Sequence, residues 1–264
     1  MSARRRSGRL LERAAPVALG IGLVVAWHAY VTAREVPSIV LPTPLEVATA
    51  LWLSRRLLLA DAAVTAATAA LGLALGALVG GLLAFGMLRS RLFRSISLPY
   101  VVGLRIAPVI AIAPLVFLWI GRGIVPRAVV VATLTQFPIA IGMLSGLRSV
   151  PEEYLDLLRS VDAPERRLFV SVRLPAAASS VLASAQVAAT LAVIGAVVAE
   201  FVTLRSGLGY RVFDSGMRLE TAEMYAALVA LSLVGIGFYG LPRLGWWCWR
   251  EWGALASRRS VRSR

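Results

Sequence analysis

The sequence has no lysine: all 28 of its basic residues are arginine. It has one cysteine, Cys248, and one histidine, His28. A single cysteine excludes an internal disulfide and any cysteine-based metal cluster. His28 lies inside an apolar run, where a packed histidine is commoner than a ligand, so no metal site is expected. Charge is scarce, at 16% of residues, and the acids number only 14. The apolar runs hold no paired carboxylates, histidine cluster or Ser–His pair suited to catalysis, so no catalytic residue and no enzyme activity are expected. The chain also lacks a glycine-rich phosphate loop of the GxxxxGK[ST] type, so no bound nucleotide or other cofactor is expected in it.

What it has in excess is apolar sequence. Of the 264 residues 58% are hydrophobic, and the mean hydropathy is +0.76. Soluble domains hold roughly 45–50% apolar residues. Six apolar runs stand out, at about 14–33, 62–88, 97–120, 125–147, 179–202 and 224–247. About 20 apolar residues cross the hydrocarbon core, and helices satisfy their own backbone there. The expected fold is therefore an all-α integral membrane protein of about six transmembrane helices. A basic N-terminus (1–13) and a basic tail (251–264) flank a membrane domain (14–250). The run from Ala14 to Ala33 is long enough to span and lacks a clear cleavage site, so it reads as the first span.

The arginines flank these runs instead of forming one patch, which excludes a nucleic-acid partner and points to the lipid bilayer. With the N-terminus placed in the cytoplasm, 19 arginines fall on cytoplasmic segments and 8 on outer ones. That bias puts both termini inside. Gly72, Gly76 and Gly80 recur every fourth residue on one helix face, a spacing that permits close helix packing. Ahead of the second run, Leu41-Pro42-Thr43-Pro44 fits an extended lead-in to Leu45–Leu59, which reads either as a helix on the outer membrane surface or as a surface helix of the fold itself.

The connection between the fourth and fifth runs, Val150–Pro175, is long, charged and still helically periodic. Leu155, Leu158 and Val161 recur three apart. Pro151 followed by Glu152 and Glu153 starts a helix, with acids at its positive end. Asp162-Ala163-Pro164 reads as a turn in which Asp takes a left-handed position. Leu174-Pro175 ends the second helix or starts the next element. Helix, turn, helix is thus expected on the cytoplasmic side. Its apolar face packs either on the bundle or against another subunit.

The same loop resembles the signature loop of ABC importer permeases. That pattern is Glu-Ala-Ala, three residues, Gly, nine residues, Ile, one residue, Leu-Pro. Here Asp156-Leu157-Leu158, Asp162, Val172 and Leu174-Pro175 keep every spacing and change the Glu, both Ala and the Gly. Ile106–Leu115 with Leu118-Trp119-Ile120-Gly121 is similar to the third-span signature of the nitrate/sulfonate/taurine-type permeases. Phe137-Pro138, Gly146–Val150, Leu191–Glu200 and Gly207–Tyr210 resemble other stretches of that family in the same order. A Ser-Leu-x-Arg start to the second span is replaced by Thr65, Ala66 and Thr68.

The resemblance implies a type I importer permease in the bacterial cytoplasmic membrane. It implies a cytoplasmic coupling helix at 150–175 and contact with an ABC ATP-binding subunit through Asp156, Leu157, Leu158, Asp162, Val172, Leu174 and Pro175. It further implies a second permease copy, most simply a homodimer, and an extracytoplasmic solute-binding protein. ATP is then bound by the partner subunit. The implied substrate is a small anion such as a sulfonate, taurine or nitrate. Val187–Gly195 also resembles permeases for a thiamine precursor or riboflavin. A non-ABC channel or membrane scaffold is the alternative class. Two charges inside the runs, Arg105 and Glu200, are candidates for the pore or gate, since ionisable residues there are costly.

Overall fold

A computed structural model describes the backbone of residues 2–203 and 205–262, with side chains for 15–203 and 205–247. Arg4–Arg13, Cys248, Arg250 and the arginines of the tail therefore lie outside the described side chains. The described residues are helices and short connections. In chain order they form α1 (Ser2–Ala33), α2 (Pro44–Leu53), α3 (Arg55–Arg89), α4 (Arg91–Ile106), α5 (Val109–Ile120) and α6 (Ile124–Leu147). There follow α7 (Glu152–Arg159), α8 (Glu165–Leu168), a π-helical turn (Phe169–Arg173), α9 (Leu174–Thr203), α10 (Leu208–Met217) and α11 (Thr221–Arg262).

Five of these are long and apolar enough to cross a membrane, and the pair α4–α5 makes a sixth if taken as one span. The third apolar run is not one straight helix, as its continuous hydropathy had implied. It breaks at Ala107–Pro108, where the two halves meet at 104°. Proline there has no N–H to donate to the preceding turn and disfavours helical geometry in Ala107, which sits at ψ 133°.

By packing the chain divides into two units, residues 1–59 with 211–229 and residues 60–210 with 230–264. In the first, Thr43 caps α2. Its hydroxyl accepts from the Glu46 N–H at 3.2 Å, and its own N–H donates to the Glu46 carboxylate at 2.6 Å. With Pro44 at the first helical position, this is a capping box behind a pre-set turn. Thr221 ties back to the Ile39 carbonyl at 2.6 Å, and Trp27 lies 5.7 Å from Tyr225. His28 is exposed on α1, contrary to the packed role read from its apolar neighbours.

In the second unit α6 and α9 lie closest together. Small residues allow it: a Cβ on Gly146 would meet the Ala177 backbone at 2.9 Å, and one on Gly142 would collide with Ser184. The three α3 glycines do the same toward α6. A side chain at Gly72, Gly76 or Gly80 would strike Val131, Thr135 or the Gln136 carbonyl. Thr135 uses that proximity to donate to the Gly72 carbonyl at 3.3 Å. Ala69, Val131, Ala189, Ala192 and Ala196 form the core between these helices. Large apolar side chains instead face outward, as Leu78, Leu82 and Leu118 do, the arrangement a lipid solvent favours.

Candidate functional site

The loop joining α6 to α9 begins with α7, whose start is set by Pro151, Glu152 and Glu153. Its end is fixed by two crossing bonds. The Ala163 N–H donates to the Leu158 carbonyl at 3.2 Å, and the Asp162 N–H donates to the Arg159 carbonyl at 3.0 Å. This is the Schellman pattern, which puts its closing residue in the left-handed region. That residue is Asp162, with φ +54°. An L-residue there carries a steric cost that glycine escapes. Asp162→Gly is expected to stabilise the loop by about 0.5–1 kcal/mol, seen as slower amide exchange across 152–163; faster exchange would contradict the turn geometry.

Arg159 holds the loop together electrostatically. Its guanidinium reaches Asp156 at 2.9 Å, Glu152 at 3.2 Å and Glu165 at 3.3 Å, joining α7 to α8. Hydrogen bonds to Asp156 first, then to Glu152 and Glu165, raise its affinity for the proton above the ordinary arginine value. Asp156, one of the residues that the family resemblance places against the ATP-binding subunit, thus has a partner within the chain.

The helical phase of α7 differs from the simple periodic reading. Leu155 turns inward and is 2% exposed, and Leu158 is half-buried. The outward apolar face is Tyr154, Leu157 and Val161, at 63%, 65% and 70% exposure. Their spacing of three and four places them on one stripe. Leu168 is buried, Val172 sits half-buried in the π turn, and Leu174-Pro175 opens α9. Of the predicted loop residues, Leu157 and Asp156 are exposed on α7, while Val172, Leu174 and Pro175 belong to the shaft leading into α9.

A second constellation lies at the far end of α9. Glu200 is fully buried, not lodged in a surface layer. Its Oε2 accepts from the Gly209 N–H at 2.8 Å. Asp61 accepts from the Gly207 N–H at 3.1 Å, and the Thr65 hydroxyl accepts from the Leu208 N–H at 2.9 Å. Three side chains from α3 and α9 thus take up three consecutive N–H groups at the start of α10, which would otherwise be orphaned. Gly207 has φ +109°, and any side chain on it would collide with the Glu200 carboxyl. Arg127, 7% exposed, supplies the nearby positive charge and donates to the Ser206 carbonyl at 3.5 Å. Sequence reasoning found Glu200 but missed Asp61, Thr65 and Arg127; the pair Gly207 and Gly209 close behind a buried acid was the available signal. Arg105 is exposed in the last turn of α4, with its guanidinium 4.5 Å from the Phe137 ring centroid of α6, a cation–π contact between helices. No group of three metal-ligating side chains occurs among the described residues.

Comparison with known proteins agrees with this architecture. Residues 46–241 match the family described as binding-protein-dependent transport system inner membrane component. A probable ABC transporter permease protein of Haemophilus influenzae is 34% identical over 82% of this chain and 89% of its own. The formylaminopyrimidine transport permease protein of Halalkalibacterium halodurans is 32% identical over 91% and 95%. A putative aliphatic sulfonates transport permease protein of Bacillus subtilis is 30% identical over 81% and 78%. The crystal structure of an amino acid ABC transporter with histidines superposes with a TM-score of 0.59 over 74% of this chain and 94% of that one, at 16% identity, which supports the fold. The chain belongs to this family: it is a multi-pass permease subunit of a binding-protein-dependent ABC importer.

Proposed function

We propose that the chain lines half of a solute pathway and couples it, through α7, to a separate ATP-binding subunit in the cytoplasm. A second copy of the chain supplies the other half, and an extracytoplasmic binding protein delivers the solute. Both termini lie on the cytoplasmic side, following the arginine bias. The observation that carries the reading is the stripe Tyr154, Leu157 and Val161. It is an apolar helix face exposed on a charged loop, bounded by the motif spacing from Asp156 to Pro175. A groove on the ATPase covers that stripe. ATP-driven closure of two ATPases draws the two loops together and rocks each bundle between two packings.

The substrate class is read from relatives. The resemblance of short motifs puts a sulfonate, taurine or nitrate first. The formylaminopyrimidine permease matches at slightly higher identity and over more of both chains than the sulfonate permease does. That favours a planar nitrogen heterocycle, a thiamine precursor or riboflavin, ahead of the anion. Cells carrying this permease with its ATPase and binding protein are expected to accumulate labelled formylaminopyrimidine in an ATP-dependent way. Accumulation of an alkanesulfonate instead would restore the anion reading. Uptake of neither class in cells with an assembled complex would reject both.

A further inference from the structure

Beside the loop, on a face that the α7 stripe does not share, lies a bowl of about 570 Å³. Its polar wall carries Arg89, Arg166 and Arg173, and its floor is Phe85, Leu88 and Phe169. A second cavity of about 460 Å³ shares Leu88, Arg89 and Arg173 and adds Arg91 and Arg148. The acids on these walls are Glu165 and Glu152, and Arg159 already binds both. No ion pair engages Arg89, Arg91, Arg148, Arg166 or Arg173 among the described residues. Among the described residues, the site therefore has a surplus of positive charge with no further counterion.

We propose that this bowl holds the phosphodiester headgroup of an anionic phospholipid. Its level is the first argument. Arg89 ends α3, Arg148 follows the last residue of α6, and Arg173 directly precedes α9, so the basic wall sits where three membrane helices end or begin. Basic pockets at such a level are complementary to anionic headgroups. The amphipathic lining is the second. Phe85 packs edge-on to Phe169 at 5.8 Å and is 49% exposed. Behind it on α3, Leu82 and Leu78 are 65% and 60% exposed. Leu78, Leu82, Phe85 and Arg89, spaced four, three and four apart, make one helix face, an apolar lane ending in a guanidinium. A free phosphate has no use for the lane. An acidic protein segment reaching the bowl from the loop side would leave that lane uncovered. An acyl chain under a phosphate fits both parts. The proposal rests on the membrane fold alone and stands whatever the solute.

The test is native mass spectrometry of the detergent-solubilised full chain, and of the complex that co-purifies with it. Phosphatidylglycerol is titrated against phosphatidylcholine of the same acyl chains, with inorganic phosphate in large molar excess as competitor. Phosphatidylglycerol is expected to be retained selectively and to resist phosphate. Each basic residue near an anionic lipid surface contributes about fivefold in binding, so Arg89→Gln with Arg173→Gln should weaken retention about twenty-five-fold. The control Arg34→Gln with Arg56→Gln should leave it unchanged. Equal retention of the two lipids, an unchanged affinity in R89Q/R173Q, displacement by phosphate, or loss of the lipid once the ATP-binding subunit is assembled would each overturn the proposal. Should R89Q/R173Q aggregate on gel filtration, the lipid selectivity and phosphate competition of the unaltered chain decide the matter.

Discussion

Leu157→Arg is expected to abolish solute-stimulated ATP hydrolysis and uptake while leaving the amount of permease in the membrane unchanged. Leu157 is 65% exposed, and its neighbours on the stripe are equally open. Substitutions at such positions usually shift stability by no more than about 0.5 kcal/mol. Inside a docked interface the same change is severe, because an apolar anchor is lost and an unpaired charge is desolvated. A loss of roughly 2–4 kcal/mol of docking energy corresponds to about 30- to 1,000-fold in affinity. Leu158, the other leucine that the family resemblance places at the contact, is a poorer probe: it is half-buried, so an arginine there also disturbs the loop. Comparison of ATPase rates in reconstituted vesicles, beside pull-down of the ATPase, separates the two effects. Fully coupled transport by Leu157→Arg would dismiss α7 as the docking element.

Glu200→Ala is expected to destabilise the helical bundle by about 1–3 kcal/mol, the usual cost of leaving a buried donor without its partner. The carboxylate caps Gly209 and balances a buried Arg127. Removing it orphans an N–H and leaves a guanidinium without its counter-charge. The double replacement Glu200→Leu with Arg127→Met is expected to recover part of the loss, because no unpaired charge then remains. Thermal unfolding in detergent, followed by helical signal, reads both. A Glu200→Ala protein as stable as the parent would show that this acid is dispensable to the fold and leave only a role in the pathway. Gly207→Val should fail in the same assay through a different cause, since its backbone sits at φ +109° with the carboxyl against it.

Much of this could be read before any coordinates. Apolar runs of membrane length located the spans, because in lipid a long apolar segment has few alternatives to helix. Gly72, Gly76 and Gly80 announced the close approach of a helix, though not that Val131 and Thr135 of α6 would fill the space. The turn at Asp162 followed from the local chemistry of Asp-Ala-Pro. What failed depended on tertiary packing. Hydropathy sums over Ala107–Pro108 without registering the bend, since apolar character and backbone direction are separate properties. The phase of α7 is set by which residue finds the bundle, and Leu155 does so where three evenly spaced apolar residues looked equivalent. Asp61 and Thr65 join Gly207 and Leu208 across more than 140 positions of sequence, a distance that no local pattern encodes.

The π turn at Phe169–Arg173 sets a direction. Its Leu174 N–H bonds to the carbonyl five residues back, so the shaft from α8 to α9 carries one residue more than an α-helix of the same number of turns. One residue is about 100° of helical rotation and 1.5 Å of rise. The compass bearing of α8, and of everything hung before it, is thereby offset by about that angle from the one an unbroken α-helix of the same residues would give it. Closing the same residues as plain α-helix, with none deleted, would swing α7 by about 100° around the axis of the fifth span without altering one residue of the proposed docking stripe, whereas deleting Val170 would leave its bearing nearly unchanged. In this subunit, where the loop points is a matter of counting.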